Sequence, residues 1–413
     1  MLLTYSLSQK IINSKNQICL SFTPKIQSDQ VFYFKTQLYI DKKEWDPEKQ
    51  RPKNIYCKKF KQLNTKLNAI KVALGELIQN QKTKEKIPSS RTITTLIKQV
   101  CSNNHHCYPE NSLLNIMSQY LEIKKENICL STYRRYLVFL KLMEKFEGYI
   151  NQHIMLEEIN TQFINTFYVF GKSEQYTEST LKRTVEFVKT ILHFAERKGI
   201  RTEVRNLEIP KTKTPRRVIT LNEKEIKKIT QTKVPRELRQ AKDWLLISCY
   251  TGQRISDFMR FDHKQIIQID GKPCISFIQQ KTGKEITLPL HPLVLKVIKK
   301  NGNTFPQPMD KCLYNEHIKK IAELAGIKEP VKARKRAGFR TKDVQVEKWQ
   351  NISSHIGRRS FASNFYGKIP TPLLMQATGH STEKMFLNYI NPVNHERVIT
   401  LSKYFDKMYT EKL

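Results

Sequence analysis

Residues 378–390 read TGHSTEKMFLNYI. A glycine and a histidine, Gly379 and His380, lead into a short helix-like segment that ends at Tyr389. Considered alone, Tyr389 is an ordinary core aromatic, with Phe386 and Leu387 beside it as the side chains expected to hold the segment in place. Its company elsewhere in the chain changes that reading. SSHIGRRSFA places His355 and Arg358 three residues apart, on one face of a helix. TGQRISD places Arg254 after a glycine, with Asp257 three positions on and able to orient its guanidinium. QQKTGKEITLPL presents Lys281 at a hairpin tip. Each fragment alone describes a solvated surface or a turn; the set describes a site.

The chemistry of that set is specific. Two arginines supply planar, paired donors suited to the non-bridging oxygens of a phosphate. His355 and His380 can donate to the same oxygens or move a proton. A hairpin lysine can reach a leaving oxygen, and a phenol supplies a nucleophile. A phenol with a pKa of roughly 10 needs electrostatic help to attack at neutral pH, and the surrounding cations provide it. The expected reaction is in-line attack on a DNA phosphodiester, with Arg254 and Arg358 holding the charge of the transition state.

Composition points to the same substrate class. Lys and Arg outnumber Asp and Glu by 72 to 38, and the net charge of +34 describes a surface for polyanions, with nucleic acid foremost. The 39% of hydrophobic residues is enough to build real cores. No apolar run is long enough for a membrane span, and the N-terminus lacks the pattern of a secretory signal. Eight scattered cysteines suit reduced thiols in a cytosol. CSNNHHC gathers Cys101, His105, His106 and Cys107, but no second ligand pair follows at finger-like spacing, so the segment reads as linker and no metal is expected. GKS at 171–173 lacks the phosphate-cradling turn, because Thr166 stands where a P-loop requires glycine. No cofactor is called for, and clustered carboxylates for a metal-dependent nuclease are absent.

At 413 residues the chain is expected to form several domains. QICLSF and DQVFYFKTQLYI read as strands, and Leu63, Leu67, Ile70, Leu74 and Leu77 form a helical stripe, so a small sheet under one helix accounts for residues 1–83. Lysine-rich KTKEKIPSS is a linker. Residues 90–208 are helical: Ser131 is the expected N-cap of one helix and Gly148 its end, and Leu181, Val185, Val188, Leu192 and Ala195 stripe another before Gly199. IPKTKTPRRVIT is a second linker, and residues 217–413 mix helices with strands around Gly271 and Gly283. VKARKRAGFRTKD reads as a basic loop against the DNA backbone, and the terminal HERVITLSKYFDKMY carries Val398, Leu401, Phe405 and Met408 on one stripe, for docking on its own domain or on a neighbour.

The order TGxR, hairpin Lys, HxxR, GH and then Tyr nine residues on resembles the tyrosine recombinases, or phage-type integrases. The EWDPEKQR tract with its flanking strands and striped helix resembles their arm-binding domain, and QYTESTLKRTVEFVKTILHFAERKGI their SAM-like core-binding domain. The resemblance implies a mainly α multidomain protein with α+β parts: arm domain 1–83, SAM-like bundle 90–208, and a mixed catalytic domain 217–413 with a small antiparallel sheet. It implies Tyr389 as nucleophile forming a 3′-phosphotyrosyl link, Arg254 and Arg358 as phosphate clamp, and Lys281 as general acid. His355 would assist proton transfer and His380 would steady the phosphate. It implies core and arm DNA sites, a homotetramer on synapsed DNA, accessory DNA-bending proteins, and a cytoplasmic, nucleoid-associated enzyme integrating or excising a mobile element. Type IB topoisomerase-like relaxation and non-catalytic DNA binding are the alternatives. One departure is Gly357, which as a glycine within a helix costs about 1 kcal/mol and is expected to loosen the segment bearing Arg358.

Overall fold

The computed structural model describes residues 2–12, 14–23, 31–54, 57–82, 88–102, 108–210, 218–337, 340–390 and 402. The C-terminal stripe, the middle of both linkers, and His105, His106 and Cys107 lie outside them. The chain divides into two compact units: residues 1–213 form the body of the first, and residues 214–336 and 341–413 form the second.

In the first unit, β1 (Leu2–Ile12), β2 (Lys15–Thr23) and β3 (Phe32–Ile40) form an antiparallel sheet in sequence order. Alternation puts Ile18, Leu20 and Phe22 of β2 and Phe34, Leu38 and Ile40 of β3 on its inner face. A short ribbon follows, β4 (Trp45–Asp46) with β5 (Arg51–Pro52). Helix α1 (Lys58–Lys82) covers the sheet with Leu67, Ile70 and Leu74, as its stripe predicts. A second helix, α2 (Ser90–Ser102), shares that core through Ile93, Ile97 and Cys101, so the sheet has two covering helices where one is expected. The bundle consists of α3 (Leu113–Lys124), α4 (Leu130–Ile150), α5 (Thr161–Ser173) and α6 (Glu178–Arg197), around a core that contains the predicted Leu181–Ala195 stripe.

Helix α4 differs from the sequence reading at both ends. Cys129, not Ser131, is its N-cap, and the helix runs through Gly148 to a left-handed cap at Asn151. Gly148 serves packing instead: a Cβ there would stand 2.6 Å from Asn68 Oδ1 of α1. Gly75 of α1 faces the carbonyl of Asn151 even more closely. The two glycines let α1 and α4 cross with their backbones near contact.

The second unit begins with α7 (Glu223–Gln231), whose capping box joins Asn222 and Glu225, and α8 (Arg236–Thr251). A single turn, α9 (Ile255–Phe258), leads to the antiparallel sheet β6 (Ile266–Ile269), β7 (Lys272–Ile278) and β8 (Glu285–Pro289). Positive φ at Asp270 and Gly271 makes the first turn a two-residue hairpin. Then follow α10 (Pro292–Lys300), α11 (Lys311–Leu324), β9 (Pro330–Ala337), β10 (Arg340–Glu347), α12 (Ile356–Phe365), α13 (Thr371–Thr378) and α14 (Glu383–Leu387). Helix α8 lies at the centre with Trp244, Ile247 and Ala241 fully buried. The basic stretch expected as a loop is the β9–β10 hairpin: Val331 and Ala333 point inward, while Lys332 and Arg334 face solvent. Among the described residues no helix is long and apolar enough to cross a membrane.

Candidate active site

Two helix C-termini converge to build the floor of the site. Helices α8 and α13 each end in a Thr-Gly pair whose glycine, Gly252 or Gly379, takes the left-handed conformation. Both turns are tight: a Cβ on Gly252 would meet the Phe361 ring at 2.5 Å, and one on Gly379 would meet Gln279 Oε1 at 2.5 Å. Their carbonyls point at one guanidinium. Arg358 Nη1 donates to Gly252 O at 3.0 Å and Nη2 to Thr378 O at 2.6 Å. A cation at two helix C-termini is favoured by both dipoles, which explains how a fully buried arginine is tolerated. Burial first, and then the charge of Arg254, lower the Arg358 pKa to about 10, so it stays cationic at neutral pH. Its Nε finds no hydrogen-bond partner among the described residues.

Helix α12 brings Arg358 there, with His355 as its N-cap residue. Gly357 does not loosen this helix. A Cβ at that position would stand 2.0 Å from Ser248 Oγ, so glycine is what permits α12 to lie against α8. His355 lines the cleft; partial burial, followed by Arg359, Lys311, Arg358 and Arg254, lowers its pKa and keeps the imidazole neutral.

Arg254 precedes α9 as its N-cap residue and is oriented differently from the expectation. Asp257 is engaged elsewhere: one carboxylate oxygen accepts the Gln280 N–H at 2.9 Å and lies 3.7 Å from Arg260 Nη2, while the other has no hydrogen-bond partner among the described residues. Arg254 Nη1 donates to Gln279 Oε1 at 3.2 Å. Gln279 is fully buried, and its Nε2 donates to Gln253 Oε1 at 3.0 Å and to Thr378 O at 3.1 Å. Thr282 of the hairpin donates to the same Oε1 at 2.8 Å. Gln279 thus ties Arg254, the hairpin that carries Lys281, and the turn before His380 into one network. Asp257 secures that hairpin from the other side.

Tyr389 follows α14, whose buried Phe386 anchors it; Leu387 is 40% exposed, and Ile390 takes the second core position instead. The Tyr389 ring lies 5.5 Å from the Arg358 guanidinium carbon and 4.9 Å from the His380 ring. His380 Nε2 is 3.1 Å from Arg358 Nη2. Arg254, Lys281, His355, His380 and Tyr389 line one cleft of about 560 Å³, and Arg358 stands directly behind His380. All six sequence-selected residues therefore meet. Lys311, at the start of α11, is a further cation in the cleft that sequence reasoning missed.

Residues 219–396 match the phage integrase family, residues 112–207 the phage integrase SAM-like domain, and residues 9–94 an arm DNA-binding domain. The chain belongs to the phage integrase family. It is a tyrosine recombinase, an enzyme that breaks and rejoins DNA strands. No curated protein matches the sequence. Among solved structures, this integrase resembles the Tn1549 transposon integrase in complex with a circular intermediate DNA, with a TM-score of 0.51, 12% identity, and coverage of 71% of this chain and 99% of that one. It also resembles the XerH site-specific recombinase in a post-cleavage complex, with a TM-score of 0.50, 14% identity, and coverage of 82% and 96%. A lambda integrase dimer bound to a core site matches with a TM-score of 0.49, 19% identity, and coverage of 67% and 95%. The first two likenesses show that the integrase shares their fold.

Proposed function

We propose that Tyr389 is the nucleophile and that the cleft binds the scissile phosphate of duplex DNA. The observation that carries this reading is the position of the phenol ring, 5.5 Å from a buried guanidinium and in the same cleft as Arg254, Lys281 and His355. Tyr389 Oη attacks phosphorus, its proton passes to neutral His355, and the P–O bond to the 5′-oxygen breaks. Lys281 gives that oxygen a proton. Arg254 and Arg358 hold the charge that develops on the non-bridging oxygens. The 3′-phosphotyrosyl link conserves the phosphodiester energy, so a 5′-hydroxyl from another strand can reverse the step without a cofactor.

An arm sheet in addition to a core-binding bundle fits an enzyme with two kinds of DNA site, which supports integration or excision of a mobile element over simple relaxation. The exposed Lys332 and Arg334 of the β9–β10 hairpin supply cations suited to contacts with the DNA backbone. Strand exchange by this chemistry would use four protomers on two sites, with accessory DNA-bending proteins, in the cytoplasm at the nucleoid. The test is a nicked attachment-site duplex resolved on a denaturing gel. Wild type should trap a covalent adduct and Tyr389→Phe should trap none; an adduct in that variant overturns the assignment.

A further inference from the structure

The donors and acceptors around His380 can be assigned without seeing a hydrogen, because a guanidinium carries donors and no acceptor. Arg358 Nη2 is 3.1 Å from His380 Nε2, so that ring nitrogen must offer its lone pair. The ring proton therefore sits on Nδ1. Nδ1 is 2.7 Å from Thr378 Oγ1, so the hydroxyl must accept. The hydroxyl's own proton then goes to the Leu374 carbonyl, 2.6 Å away on the preceding helical turn. The ring proton thus has one consistent place, and the hydroxyl proton has a second, longer acceptor in the Met375 carbonyl at 3.3 Å.

We propose that Thr378 is a positioning residue for the phosphate clamp: its hydroxyl fixes His380 as the neutral Nδ1–H tautomer, and that imidazole aims Arg358. This deepens the recombinase reading and rests on it for its consequence. Both protons of Arg358 Nη2 are then committed, one to Thr378 O at 2.6 Å and one to His380 at 3.1 Å, which fixes the guanidinium plane before DNA arrives. The same residue holds both partners, since the Thr378 carbonyl takes Arg358 while its hydroxyl takes His380. A pKa lowered to about 3, by burial and then by Arg358, Arg254 and Lys284, agrees with a ring that stays neutral.

The experiment is ¹⁵N NMR of histidine-labelled, full-length, DNA-free protein at neutral pH, with the His380 signals assigned by their loss in His380→Asn. The wild-type spectrum should show a bare Nε2 and a protonated Nδ1. Thr378→Val keeps the shape and both backbone bonds but removes the acceptor. It should shift His380 toward the Nε2–H tautomer and slow adduct formation about tenfold, the scale of one lost hydrogen bond. Thr378→Ser should restore both to within about twofold. A wild-type Nε2–H or imidazolium signal overturns the proposal, as does a valine variant with unchanged tautomer or unchanged rate. If the valine variant fails to fold, the wild-type spectrum and the serine variant still decide. A wild-type chain that forms no adduct fails the recombinase reading, whereas the tautomer is read without DNA.

Discussion

His380 shows how burial and neighbouring cations turn a titratable side chain into a fixed one. In the folded chain its pKa is pushed down to about 3, whereas an unperturbed histidine titrates near 6.5. Between these values the unfolded chain binds a proton that the native chain refuses. Stability therefore rises with pH across that window and falls as the pH drops through about 6.5 toward about 3. Thermal melts from neutral to acid pH should show a steeper loss of Tm in wild type than in His380→Gln, which has no group to titrate there. Parallel curves would mean that His380 takes up its proton as readily in the native state. The six residues that meet at the cleft were selected from the sequence because the proposed chemistry admits few residue types and each stands in a short motif. Gln279 was not, since its role depends on partners as distant as Thr378, 99 residues on. Asp257 was misassigned for a related reason: helical spacing counted from Arg254 places the two side by side, yet Arg254 lies outside the helix and the carboxylate is claimed by the Gln280 N–H at 2.9 Å.

At the scale of elements, the hairpin from β7 to β8 and the contact between α8 and α12 each carry a testable burden. If Lys281 protonates the leaving oxygen, Lys281→Ala should cut ordinary DNA about 10²- to 10⁴-fold more slowly. A substrate with sulfur at the bridging 5′ position leaves as a thiolate without needing a proton, so adduct formation on it should return close to the wild-type rate. A variant equally slow on both substrates would assign Lys281 to binding instead. Gly357→Ala places a Cβ 2.0 Å from Ser248 Oγ, and α12 must move off α8 to accept it. A destabilisation of roughly 1–3 kcal/mol is expected from such overpacking, with slower adduct formation because Arg358 moves with its helix. An unchanged melt would show that the two helices part freely. Alternation made most of the strands readable, but the β9–β10 hairpin escaped notice because its inward residues, Val331 and Ala333, are small and sit among cations. Gly148 was misread as a helix end for a different reason. Its neighbour Asn68 is on another helix, and sequence spacing alone does not show that two backbones approach.

Across the whole molecule, charge and connectivity act together. The surplus of +34 is distributed along the chain, not gathered in one tail. Within the first unit, the close crossing of α1 and α4 joins the arm sheet to the helical bundle. His153 spans the same seam, 3.0 Å from Glu147 of α4 and 3.9 Å from Glu76 of α1. Sheet and bundle therefore belong to one compact unit. Phosphate contacts made by several elements at once release many counterions, and affinity then falls as a high power of the salt concentration. With about 6–10 phosphate contacts, affinity for an unrelated duplex should drop roughly 10³- to 10⁵-fold between about 50 and 200 mM salt. Tyr389→Phe removes no lysine or arginine contact to phosphate, so its salt slope should coincide with that of wild type even though it forms no adduct. That coincidence separates binding from chemistry in one measurement. A shallow slope in both proteins would mean that most of the positive surface faces away from DNA. A slope changed in the phenylalanine variant alone would mean that the Tyr389 hydroxyl takes part in holding the DNA backbone.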